Sequence, residues 1–169
     1  MKLWEWLKNL VDPEPGKVIP LYPHDDSYAA NWMEIANKEI GVHELLGGRN
    51  NLRILQYHEA TTLGAKDQRV SWCASFVSWC LVQAKIENPR SAWALDYLKL
   101  KTKLNKPIYG CIVVLRRGPS NGHVGFFVGY SGNGIRILGG NQKDSVCIES
   151  FNEESVIGYF WPDVRQAAV

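Results

Sequence analysis

One change of pattern constrains this chain more than any other feature, and it falls at Pro107. Before it, apolar residues recur at helical spacing. After it, short β-branched or aromatic runs alternate with Gly, Asn, Asp and Ser turns. Trp32, Ile35, Ala36 and Ile40 lie on one face of a helix predicted over residues 29–40, with Gly41 placed to end it. Asn50 or Asn51 can cap a second helix, which starts at Leu52 and reaches about Ala60. The strongest helical pattern covers residues 73–86, where Ala74, Val77, Leu81 and Ala84 form one stripe and Asn88-Pro89 closes the run. Ser91 is placed to cap a further helix to about Leu100. Strands are expected at 111–115, 123–130, 135–138, 145–148 and 156–161. Helices first and strands second predict an α+β fold, with helices on one side of an antiparallel β-sheet of about five strands.

The 169 residues, 46% of them apolar, suffice for one compact domain with a real core. We expect that domain over 29–169, preceded at 1–28 by a short helix and a Pro-rich linker. A net charge of +2 is too balanced for a nucleic-acid footprint, and Lys99, Lys101, Lys103 and Lys106 read as a solvated helix end. No apolar run is long enough for stable membrane insertion, and a monomer is expected. Glu5 and Lys8 interrupt what would be the apolar part of a secretory signal. The chain is therefore expected to be made in the cytoplasm and delivered elsewhere by other means.

Cys73 opens the strongest helix. A thiol there feels unpaired N–H groups and the positive end of the helix dipole, which favour thiolate and could stabilise an oxyanion beside the sulfur. The alternative, a buried Cys acting as a small hydrophobe, suits Cys80, Cys111 and Cys147. A partner base is available in His123, which starts the longest strand between Gly122 and Gly125. His24 lies in the linker, and His43 and His58 flank helix ends. Ser131 to Gly134 has hairpin composition. If Ser131 pairs with Gly134, His123 lies opposite Gln142 with Asn141 one step away, and a bulge at Gly139-Gly140 could re-aim either side chain. Asn141 is the first choice to orient the imidazole, Gln142 the second and Asp144 the third. Trp72 could wall a groove beside the nucleophile, while Trp32, Trp79 and Trp93 read as core. Glu44, Tyr57 and Gln142 are candidates to bind substrate, with a solvated helix-end charge as the alternative for Glu44.

Ser-Trp-Cys-Ala-Ser-Phe-Val (71–77), Gly-His-Val-Gly-Phe-Phe (122–127) and Leu-Gly-Gly-Asn-Gln (138–142) resemble, in that order, the CHAP and NlpC/P60 superfamily of papain-like amidohydrolases. They are most similar to a small, phage-associated branch. The upstream Glu-Ile-Gly-Val-His-Glu (39–44) and Asn50-Asn51 with Tyr57 extend the likeness over about 29–161. The resemblance implies a Cys73 nucleophile, a His123 base and an orienting Asn141. It also implies cleavage of an amide bond in bacterial peptidoglycan, either at the muramic acid–L-alanine link or within a stem or cross-bridge peptide. The role implied is endolysin-like, acting on the wall after release. An interbacterial amidase toxin and a non-catalytic wall-binding module are the alternatives. The chain departs from many relatives in having Arg69-Val70-Ser71, with no acidic residue, before Trp72. No cofactor is required, and no metal is expected, since no His pair has His-x₃-His spacing and no Cys pair Cys-x₂-Cys. Asp25-Asp26 could bind calcium as in some relatives, although adjacent linker carboxylates are usually solvated.

Overall fold

The structure, a computed structural model, describes residues 31–132 and 134–162. The expected N-terminal helix, the linker and Asp25-Asp26 lie outside the described residues. Among the described residues three α-helices come first: α1 (Asn31–Lys38), α2 (Leu52–Glu59) and α3 (Cys73–Gln83). Six strands follow: β1 (Thr102–Leu104), β2 (Ile112–Arg116), β3 (Gly122–Ser131), β4 (Gly134–Gln142), β5 (Ser145–Asn152) and β6 (Val156–Trp161). They form one antiparallel sheet in the order β1-β6-β2-β3-β4-β5. This is the α+β arrangement anticipated, with two corrections. The segment Ala94–Lys99 is a 3-10 helix rather than an α-helix, with the Trp93 N–H donating to Ser91 Oγ at its start. β1 adds a sixth strand. It is three residues long, too short to show a period, and it carries Lys103, the residue type that protects an exposed edge.

Helix boundaries follow local chemistry. Asn51 caps α2 by accepting from the Arg53 N–H. α3 starts without such help: Trp72, at its N-cap, makes no side-chain capping bond. Phe76 of α3 packs edge-on against Phe126 of β3 at 6.4 Å, and both are fully buried. Burying a ring of this size contributes about 2–3 kcal/mol relative to exposure. Ile112 through Leu115 of β2 are all buried. Because successive side chains alternate faces, the centre of the sheet is covered on both faces rather than on one. Trp32 is core, its Nε1–H donating to Gly110 O, whereas Trp93, read as core, is 56% exposed.

Two register shifts position the site. Ser131 pairs with Gly134 as the hairpin composition predicts, but a shift between Phe127 and Gly129 moves the rest of β3 by one residue against β4. A second shift between Gly139 and Gln142 interrupts the β4–β5 pairing, and Asn141 there has φ +55°. The chain after α1 then runs along the start of β5, through Gly41 N–H to Val146 O and Glu44 N–H to Asp144 O. Glu44 is thereby carried to the β4–β5 turn.

Candidate active site

Cys73 is the first residue of α3 and is 5% exposed. The backbone N–H of Val124, the Ser71 hydroxyl and the N–H of Ala74 are donors near enough to its sulfur to favour the thiolate. The thiol thus lies against the peptide that immediately follows His123. Burial raises its pKa, and these donors together with the positive charge of Arg117 only partly offset that. The helix N-terminus does not produce a resting thiolate, because desolvation outweighs it.

His123 is 1% exposed. Its Nε2 bonds Gln142 Oε1 at 2.8 Å, and its ring stacks on Phe151 with centroids 5.3 Å apart. The Gln142 amide is itself oriented: its Nε2 donates to Ile137 O at 3.1 Å and to Cys147 O at 2.6 Å. With both N–H groups so used, the oxygen faces the imidazole and can only accept. His123 Nε2 therefore carries the proton, and Nδ1 keeps the lone pair. Burial first, and the Arg117 charge second, push the His123 pKa down to about 4, against a small upward contribution from Gln142. Both members of the pair are neutral at pH 7. No hydrogen bond joins Cys73 and His123 among the contacts of the described residues.

Of the two amides considered for orienting the imidazole, Gln142 hydrogen-bonds it, and the hydrogen bonds of Asn141 among the described residues go elsewhere. The left-handed backbone at Asn141 turns its side chain toward α3. There Oδ1 accepts from Trp72 N–H and Nδ2 donates to Glu44 Oε1, each at 3.4 Å. Glu44 Oε1 also accepts from the Trp72 indole N–H at 2.9 Å. Glu44 and Asn141 thus clamp the residue before the nucleophile to the β4–β5 turn. Glu44 also borders a cavity of about 540 Å³ with Gly47, Asp67, Arg69 and Lys143 on its walls.

The other expected substrate contacts are buried. Trp72 is fully buried and walls no groove, because its ring packs 5.8 Å from Tyr57. Tyr57 is equally buried, donating to Glu39 Oε2 and touching Phe76 and Trp79. Gln142, at 2% exposure, backs the imidazole and has no surface to offer a substrate. His58, read as flanking a helix end, is fully buried with Nδ1 3.0 Å from Ser75 Oγ. Reasoning from sequence missed Arg117 and Phe151. The guanidinium of Arg117 lies 5.7 Å from the centre of the Phe151 ring that stacks on His123. The only sequence signal was the position of Arg117 in the short turn leading to His123.

The depressed histidines set a stability trend. His123 in the unfolded chain titrates near 6.5 and in the folded chain near 4, so the unfolded state binds more protons between those values. Its contribution is fully present above about pH 6.5 and is lost as pH falls toward 4. The loss amounts to about 3 kcal/mol at 1.36 kcal/mol per pKa unit. Burial lowers the His58 pKa in the same direction. Urea midpoints measured from pH 7 to 4.5 should fall steadily, and a flat profile would show that neither imidazole is held neutral by the fold.

A cysteine opening a helix that packs on an antiparallel sheet, with a histidine on a strand of that sheet, is the arrangement of the papain-like fold. Residues 65–141 match the CHAP domain family, which is consistent with the CHAP and NlpC/P60 superfamily that the motifs resemble. The CHAP domain is a family of peptidoglycan hydrolases and amidases. The match contains Cys73, His123 and Asn141; it excludes Glu44 and Tyr57 and ends one residue before Gln142. No curated protein matches the chain.

Proposed function

We propose that this protein is an endolysin-like peptidoglycan hydrolase that cleaves a wall amide bond through Cys73, His123 and Gln142. It acts as an N-acetylmuramoyl-L-alanine amidase or an endopeptidase, reaching the wall after release from the cytoplasm. The observation that carries the reading is the Cys73 thiol at an uncapped helix start, against the peptide after a histidine whose tautomer Gln142 fixes. In this role Gln142 replaces Asn141 as the orienting residue, and Asn141 with Glu44 positions the helix start.

With thiol and imidazole both neutral, the thiol proton passes to His123 Nδ1 as the sulfur attacks the amide carbonyl. The oxyanion is met by backbone N–H groups at the start of α3. Collapse expels the amine, which takes the proton from His123, and leaves a thioester on Cys73. Water, giving its proton to His123, then hydrolyses the thioester to a carboxylate and the free thiol. A wall-binding module would use none of these steps.

Thiol chemistry tests the reading. Incubation with purified sacculi should release one primary amine and one carboxylate per bond cut. Prior treatment with iodoacetamide should abolish release in proportion to carbamidomethylation of Cys73, located by peptide mass mapping. Cys147 is half-buried and will also react, so the correlation must follow the Cys73 peptide. Full amine release from protein whose Cys73 is wholly alkylated would overturn the proposal.

A further inference from the structure

Arg117 lies beyond the end of β2 in the turn to β3, where its N–H bonds Asn121 O at 2.9 Å. In the β2–β3 pairing Leu115 is opposite His123, and residues two apart share a face, so Arg117 continues the row that holds the imidazole. Its guanidinium is set against the ring of Phe151, 5.7 Å from the centroid, and that ring stacks on His123 at 5.3 Å. Arg53 and Arg69 have carboxylate partners, Glu39 and Asp67; Arg117 forms no ion pair among the described residues. The side chain is exposed. A guanidinium held on an aromatic ring, open to solvent and without an acidic partner among the described residues presents the fork geometry suited to a carboxylate.

Its charge has a chemical cost at this place. It acts on both Cys73 and His123, and it opposes protonation of the imidazole that must take the thiol proton. A carboxylate brought in by the substrate would neutralise that charge while the proton moves. The same contact would then serve binding and the chemical step.

We propose that Arg117 is a carboxylate-binding residue at the mouth of the Cys73 site, selecting peptidoglycan stems with a free carboxylate beside the scissile amide. The inference rests on the hydrolase reading above and names the feature of the substrate that the site prefers.

The test compares one wall in two chemical states. Sacculi with unamidated stems are used as isolated, and after their carboxylates have been converted to carboxamides with a carbodiimide and ammonia. Wild-type protein should release amines from native sacculi at least about tenfold faster than from amidated ones, as expected for loss of a charge-assisted bidentate pair. Arg117→Gln should bring that ratio to within about twofold of unity, and Arg117→Lys should keep part of it. Equal wild-type rates on the two substrates would overturn the proposal while leaving the hydrolase reading intact. So would a preference that survives in Arg117→Gln, or an equal fall on both substrates with the ratio kept. If wild-type protein releases no amine from either, the hydrolase reading fails and this inference falls with it.

Discussion

Cys73→Ala should lower amide cleavage of peptidoglycan by at least about a thousandfold, the scale seen when a covalent nucleophile is removed. The fold should survive. The substitution keeps Cβ and removes one sulfur atom that makes no hydrogen bond within the hydrogen-bonded network described above. The thermal midpoint should shift by only a few degrees. Cys80→Ala is the matched control, on the same helix, fully buried and seven residues further on. It leaves a small cavity, costs about 1 kcal/mol of stability and keeps the activity. If Cys80→Ala proved as inactive as Cys73→Ala, loss of activity would be reporting damage to α3 rather than loss of a nucleophile.

Gln142→Leu should be nearly as severe, with a loss of about a hundredfold or more in kcat and a smaller effect on KM. The leucine leaves His123 Nε2 buried without an acceptor, so the tautomer with a free Nδ1 is no longer favoured. Loss of the correct tautomer through an orienting residue can cost up to about 10⁴-fold in kcat in a catalytic triad. Asn141→Ala should cost less, about tenfold, because the hydrogen bonds of Asn141 go to Trp72 and Glu44. The Trp72 indole retains Glu44 as its acceptor in that variant. Kinetics on soluble muropeptides separate the two roles. A larger kcat defect in Asn141→Ala than in Gln142→Leu would reverse the assignment.

These two amides show where the sequence is informative and where it stops. The hairpin Ser131 to Gly134 is legible from composition, and its terminal pair forms as expected. The register beyond it depends on a single extra residue between Phe127 and Gly129, where Gly129 adopts φ +149°. One glycine among several gives no warning of that. A second irregularity, at Asn141, then turns neighbouring side chains to different partners, and only the assembled sheet decides which amide meets His123. Cys73 and His123 were easier to place because helix start and strand start are local properties, carried by the apolar stripe of α3 and the glycines around His123.

The electrostatics were less legible. Position at a helix start predicts a lowered thiol pKa, but burial reverses the sign, and burial is a property of the packed molecule. Trp72 and Tyr57 illustrate the same limit. Large aromatics serve equally as groove walls or as core, and here they pack on each other beneath the start of α3. Arg117 meets Phe151 across more than thirty positions of sequence, a contact no local pattern reports. The missed strand β1 lies at the other extreme, too short for any period to appear.

The most direct test is mass spectrometry of the muropeptides released from purified sacculi by wild-type protein and by Cys73→Ala. Wild-type digests should contain fragment pairs that together equal the parent plus one water, with a new primary amine on one member and intact glycan ends. The Cys73→Ala digest should lack them. Fragments cut within the glycan, an unchanged pattern after wild-type treatment, or the same amine-bearing fragments from Cys73→Ala would contradict a thiol-dependent amidohydrolase.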